Sequence, residues 1–235
     1  MTEKNIEKLV PNITVSIAGL PKTGKSHLAL TFPEPIIVFS FDLGLEPVLA
    51  KFEGKKIGVK TYPIPIIDSI HPKPYAKPIW AQFTKDYKEA IWDKAVKTVV
   101  IDTGTALYEL ARHARTEELG QQQLLRHQYG EVYSRMSALY LEPRISGVNL
   151  VITHYTKDVY EDEKPTGEVA LDGYKRTNGI ADLVLTMARG QTRDKDGKPK
   201  TVALTTITDS RFGFELDGLI LENTTYNELI SLIGG

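Results

Sequence analysis

Three features of this sequence predict an α/β fold with a mostly parallel central sheet, flanking helices and antiparallel C-terminal strands. Short apolar runs of buried-strand type alternate with helical patterns along most of the chain. A glycine-rich loop separates the first apolar run from the first helical pattern. Two late strand-like runs, "ADLVLTMAR" and "KTVALTTIT", flank Asp196-Gly197, which reads as a hairpin turn.

The elements follow in order. Residues 13–18 (ITVSIA) form a β-branched run that stops at Gly19, and "KSHLALTF" from Lys25 has helical spacing before Pro33 and Pro35. "PIIVFSF" (35–41) is a second strand, followed by a turn into a short helix over "DLGLEPVLAKF". Prolines 63, 65, 72, 74 and 78 exclude helix from the next stretch, leaving at most a strand at 57–62. A helix over about 79–95 puts Trp80, Phe83, Tyr87 and Ile91 on one stripe. "KTVVID" is a strand ending on Asp102; helices over about 104–118 and 128–142 flank "ELGQQQLLRHQ". "GVNLVITH" is another strand, and the polar stretch 155–178 is too long for an ordinary connection. "GFELDGLIL" suggests a last strand, and Thr225 with Glu228 makes a capping box for a terminal helix at about 225–233.

At 235 residues with no repeat and no long linker, the chain reads as a single domain, residues 1–235, with its core over about 12–222. Lys and Arg total 29 against 30 Asp and Glu, so a general DNA-coating surface is unexpected, although a local basic channel is not. The absence of cysteine removes disulfides, Cys-ligated zinc and thiol catalysis. "MTEKNIEKLVPN" has no apolar signal core and no run approaches about eighteen apolar residues, which predicts a cytoplasmic protein with no membrane partner.

Gly19, Leu20, Pro21, Lys22, Thr23, Gly24, Lys25 and Ser26 match G-x-x-x-x-G-K-[ST] at every fixed position, in the strand–loop–helix context the motif needs. Glycines let backbone N–H groups converge on phosphates, Lys25 would reach the β and γ phosphates, and Ser26 would ligate Mg²⁺. With His27 next along the helix, these residues are the candidate ATP-binding set. A second metal-side group is expected at the end of a neighbouring strand, where Asp102 stands; the alternative is that Asp102 only caps the following helix. Asp42 and Glu46 are candidates to orient or activate the attacking water. His154 closes another strand on the edge where open α/β sheets bind ligands.

In their order these pieces resemble the RecA-like P-loop ATPase core, especially the small phage single-strand-annealing and recombinase ATPases. "IAGLPKTGKSHLAL" is similar to their phosphate loop, "IIVFSFDLGLE" to their strand ending in an acidic turn, and "VVIDTGTALYEL" to their metal strand, with Thr103 after the Asp. "NLVITHYTK" is similar to the strand whose terminal Gln or His contacts the γ phosphate.

The resemblance implies ATP and Mg²⁺ at Lys25, Ser26 and Asp102, with His154 as γ-phosphate sensor. It implies two disordered loops facing single-stranded DNA. One is 118–128, with Arg126 and His127. The other is 155–176, with Lys157, Lys175 and Arg176 as cations and Tyr155 and Tyr174 for base stacking. It implies a homo-oligomer, ring or filament, with ATP between subunits and a cation reaching in trans, for which Arg211 or Arg176 is the candidate. A DNA-stimulated, Mg-dependent ATPase promoting annealing or homologous recombination follows, with a single-stranded-DNA-binding protein as a further partner and a bacterial or archaeal host if phage-encoded.

Two departures matter. The family's catalytic Glu position is Gly44 here, and the second loop holds Glu161, Asp162, Glu163 and Glu168, which repel a phosphate backbone. That loop also reads as an acidic surface hairpin. Both departures suit an alternative, a nucleotide-gated assembly ATPase or switch without a DNA role. A small-molecule P-loop kinase would need an arginine-rich lid, which an acid-dominated loop does not provide.

Overall fold

A computed structural model describes residues 12–42, 44–62, 76–193 and 196–234. The strands are β1 (Thr14–Gly19), β2 (Ile36–Ser40), β3 (Ile57–Thr61), β4 (Thr98–Asp102), β5 (Asn149–Glu161), β6 (Lys164–Asp172), β7 (Leu183–Arg193), β8 (Pro199–Ser210) and β9 (Ile220–Glu222). The helices are α1 (Lys25–Leu30), α2 (Glu46–Leu49), α3 (Ala76–Trp92), α4 (Gly104–Leu119), α5 (Tyr129–Ser146), α6 (Thr177–Ile180) and α7 (Tyr226–Gly234).

All the strands belong to one sheet in the order β3-β2-β4-β5-β1-β7-β8-β9, with β6 paired to β5. β3, β2, β4, β5, β1 and β7 run parallel, while β8 and β9 are antiparallel to their neighbours. β1, β2, β4 and β5 therefore end at the same edge of the sheet, where open α/β sheets take their ligands.

Strand parity divides the core into two layers, because successive side chains on a strand point to opposite faces. Phe39, Val99, Ile101, Leu150 and Ile152 pack with α3, α4 and α5 on one face. Val38, Val100 and Val151 lie on the other face with Val15, Ile17, Leu28 of α1 and Leu229 of α7. Burial on both faces explains why these strands read as continuous apolar runs rather than alternating ones.

Several boundaries move for identifiable reasons. α3 begins before Pro78, which occupies the first helical turn, where no backbone donor is needed. α5 continues through Pro143 to Ser146 instead of stopping near 142. Pro143 has no N–H for the Leu139 carbonyl four residues back, and the Tyr87 hydroxyl of α3 donates to that carbonyl at 2.6 Å. The last strand is shorter than the sequence suggests: Phe214–Leu216 form a 3₁₀ turn and only Ile220–Glu222 pair with β8. The capping box holds, with Thr225 N donating to Glu228 Oε2 at 2.7 Å. The prolines at 63, 65, 72 and 74 lie outside the described residues.

The largest correction concerns 155–176: the disordered DNA-facing loop that the resemblance implies gives way to the alternative reading, an acidic surface hairpin. β5 runs on to Glu161, turns through Asp162 and Glu163 at φ 49° and 64°, and returns as β6, paired from Tyr155↔Asp172 to Glu161↔Lys164. A ladder of backbone hydrogen bonds gives this polar segment order that its low hydrophobicity conceals. The stretch 118–128 is also largely ordered: α4 closes on Gly120 at φ 63° and Arg126–Gln128 form a 3₁₀ turn.

Candidate functional site: a phosphate-loop cleft

The loop after β1 is shaped by glycine. A Cβ on Gly19 would lie 2.4 Å from the Met187 carbonyl oxygen on β7, and Gly24 takes φ 103°. Lys22 also has positive φ, 62°, and its carbonyl accepts a hydrogen bond from Arg189 Nε at 2.9 Å. Thr23 Oγ1 closes the loop by donating to the Leu20 carbonyl at 2.9 Å.

Lys25 is buried, and its Nζ donates to the carbonyls of Gly19 (2.9 Å) and Leu20 (2.8 Å). Burial lowers its pKa, opposed by the charges of Asp102 and Asp42. The same Nζ stands 5.1 Å above the Tyr155 ring. Ser26 Oγ donates to Asp102 Oδ2 at 2.8 Å, and Thr153 Oγ1 donates to Asp102 Oδ1. Burial raises the Asp102 pKa; the Thr153 and Ser26 hydrogen bonds and the Lys25 charge pull it back.

Asp102 does not cap α4. That role belongs to Thr103, whose side chain accepts from Ala106 N, leaving the carboxylate turned towards Ser26. Asp42 Oδ2 accepts from the Tyr155 hydroxyl at 3.0 Å and Oδ1 from Gly44 N at 3.2 Å. Burial, then Asp42, pushes the Tyr155 hydroxyl up to about 12.

These groups line one cleft of about 600 Å³, completed by Lys22, His27, Pro47 and Lys51. Among the described residues there is no cluster of three or more metal-ligating His, Cys, Asp or Glu side chains. A magnesium ion held by one hydroxyl, one carboxylate, phosphate oxygens and water needs none. Ser26 and Asp102, in contact at the foot of the loop, fit it.

Residues 11–212 match the AAA domain family AAA_24. The chain belongs to that family. No curated protein matches it. Its fold is similar to that of a KaiC-like protein from the hyperthermophilic archaeon Pyrococcus horikoshii OT3, at 16% identity and a TM-score of 0.50, covering 90% of this chain and 85% of that one. The chain thus carries a P-loop ATPase domain of the AAA family with a RecA-like fold. Among the described residues no helix is long and apolar enough to cross a membrane.

In this AAA domain several expected site residues stand elsewhere. His154 is fully buried and faces away from the cleft, since its neighbour Tyr155 lines the cleft and Thr153 turns to Asp102 on that same side of β5. It lies against Gly104 and Gly173, where a Cβ would come within 2.5 Å of Cε1 and 3.4 Å of Nδ1 respectively. Neither ring nitrogen makes a hydrogen bond of good geometry, and burial lowers its pKa to about 3 against an opposing pull from the Asp172 backbone. It is no phosphate sensor in this geometry; the polar group beside Asp102 is Thr153.

Glu46 is exposed at the start of α2 and outside the cleft lining, so of the two acids only Asp42 faces it. Arg211 lies at the opposite edge of the sheet, where its backbone N bonds to Asp182 O and its guanidinium to Gly179 O, beside the start of β1. It cannot reach the cleft of its own chain. Tyr174 is fully buried, its hydroxyl shared with Ser137 and donated to the Tyr133 carbonyl, and cannot stack on a base. Lys157 is paired with Asp172 at 3.1 Å on the hairpin, and Lys175 is exposed.

Sequence reasoning missed Thr153, the cleft position of Tyr155, and Arg189. Period-two alternation along "VITHY" would have placed 153 and 155 on one face and 154 on the other. Arg189 had no signal, because its contact depends on β7 lying beside β1.

Proposed function

We propose that this protein is a Mg²⁺-dependent ATPase that binds single-stranded DNA and promotes annealing or homologous recombination as a homo-oligomer. ATP with Mg²⁺ supplies a γ-phosphoryl group open to attack by water. The loop from Gly19 to Ser26 binds the phosphates through backbone N–H groups, and Lys25 adds a charge at the loop's mouth. Ser26 and Asp102 orient the metal side, with Thr153 fixing the Asp102 carboxylate. Besides Asp102, Asp42 is the acid that faces the cleft among the described residues; it orients the attacking water and takes up its proton, with Tyr155 holding the carboxylate in place.

The DNA part rests on one observation. Arg126 and His127, from the first expected DNA segment, and Arg176, from the second, meet at the same tyrosine. Arg126 and His127 line a groove with Tyr133, and the Arg176 guanidinium lies 5.7 Å from the Tyr133 ring centroid. Anisotropy of a labelled single-stranded oligonucleotide, with and without ATP and Mg²⁺, tests it. Binding that weakens with a slope of about −0.7 per neutralised phosphate in log salt supports the reading. No binding at low salt ends it.

The second reading, a nucleotide-gated assembly switch, is favoured by the acid-tipped β5–β6 hairpin. It predicts nucleotide-dependent protein association without oligonucleotide affinity.

A further inference from the structure

The tyrosines around that groove form a continuous series. Arg112 of α4 places its guanidinium 5.8 Å from the Tyr108 ring centroid and 5.7 Å from that of Tyr129. Tyr129 and Tyr133, one turn apart on α5, have centroids 6.0 Å apart, and Tyr133 is 5.6 Å from buried Tyr174. Tyr108, Tyr129 and Tyr133 are half-buried, whereas Arg112, Arg126 and Arg176 are exposed. The groove that includes Tyr129, Tyr133, Arg126 and His127 has a volume of about 660 Å³.

None of the three arginines has an ion-pair partner among the described residues. Glu118 and Glu131, the nearby acids, are taken by Arg115 and Arg135. Glu109, three residues before Arg112, makes no ion pair with it. Cations left without acids over ring faces are held by the ring quadrupole, and remain available to an anion.

We propose that this groove, built on α4 and α5 and joined by Arg126 and His127 of one expected segment and Arg176 of the other, is a base-stacking site for a single-stranded nucleic acid. Unpaired bases stack on the exposed faces of Tyr129 and Tyr133, which takes any base because every base has a π-face. Arg112 and Arg176 cover the stack, and Arg126 and His127 meet the phosphates. The β5–β6 hairpin does not take part: residues 155–172 carry two lysines against six acids, three of them consecutive at Glu161, Asp162 and Glu163. A duplex, whose bases are already stacked, is bound more weakly than a single strand.

The inference rests on the single-strand reading above, and the experiment separates the two. A 2-aminopurine-labelled oligonucleotide is titrated with the full chain, following both anisotropy and the quenching that stacking causes. Arg112→Ala and Tyr129→Leu each weaken binding about tenfold and abolish quenching, while Tyr129→Phe keeps both. Lys157→Ala on the hairpin leaves affinity unchanged. If the oligonucleotide binds but Arg112→Ala and Tyr129→Leu change nothing, the groove is wrong and the single-strand reading stands. A duplex bound as tightly as the single strand also overturns the groove. No binding to the unaltered chain removes both. Circular dichroism of each variant separates loss of binding from loss of fold.

Discussion

Ser26 Oγ and Asp102 Oδ2 are 2.8 Å apart, although their residues are 76 positions apart in the chain. The loop after β1 and the end of β4 are thereby joined across β5, the strand between them. Lys25→Ala and Asp102→Ala are each expected to lower ATP turnover by about 10²-fold or more, the scale for removing one group that stabilises developing charge. Phosphate release at saturating ATP and Mg²⁺ measures this. Turnover unchanged in Lys25→Ala would mean that the cleft is not the site of hydrolysis.

Thr153 acts through Asp102. Its hydrogen bond holds the Asp102 pKa down against burial, so Thr153→Val leaves the carboxylate protonated to higher pH. The acid limb of the turnover profile should then move up in pH, with about a tenfold loss near neutrality. Thr153→Ser keeps the donor and should restore the profile. An unshifted limb in Thr153→Val would show that Asp102 ionisation does not govern the rate.

Gly19 and Gly44 give a matched pair of alanine substitutions. A Cβ at Gly19 meets the Met187 carbonyl at 2.4 Å, whereas at Gly44 the nearest atom is 3.7 Å away. Gly19→Ala should destabilise the fold by about 1–3 kcal/mol in urea unfolding, and Gly44→Ala should stay within about 0.5 kcal/mol. Equal midpoints would contradict the close approach of β1 and β7.

His154 makes stability depend on pH. Its folded pKa of about 3 lies below the ordinary 6.5, so the unfolded chain binds the extra proton between those values. The contribution is complete above about pH 6.5 and is lost as pH falls towards 3, at about 1.4 kcal/mol per unit. Between pH 7 and pH 5, His154→Leu should lose about 2 kcal/mol less than the unaltered chain. Parallel curves would show that a partner satisfies the imidazole.

Arg189 braces the loop from β7 through the Lys22 carbonyl. Arg189→Ala should raise the KM for ATP about three- to tenfold with little change in kcat, since an exposed charge-assisted hydrogen bond contributes about 1 kcal/mol. A fall in kcat at constant KM would instead place Arg189 in the chemical step.

The parallel core, the phosphate loop and Asp102 as a strand-end acid can all be read from the order of residues alone. Those features are local: buried strands declare themselves as apolar runs, and the loop is a contiguous motif whose glycines carry its geometry. Which side chains face the cleft depends on how the strands pack and where each one ends. His154 and Thr153 are adjacent in sequence, yet alternation along β5 sends one into the core and the other to Asp102. Tyr155 and Asp42 meet because β5 and β2 end at the same edge. Arg211 goes to the opposite edge because β8 runs antiparallel. The hairpin over 155–172 was legible only as an alternative to a disordered loop, because backbone pairing, rather than apolar burial, orders it. The groove of Arg112, Tyr129 and Tyr133 was illegible because it exists only where α4 and α5 pack together.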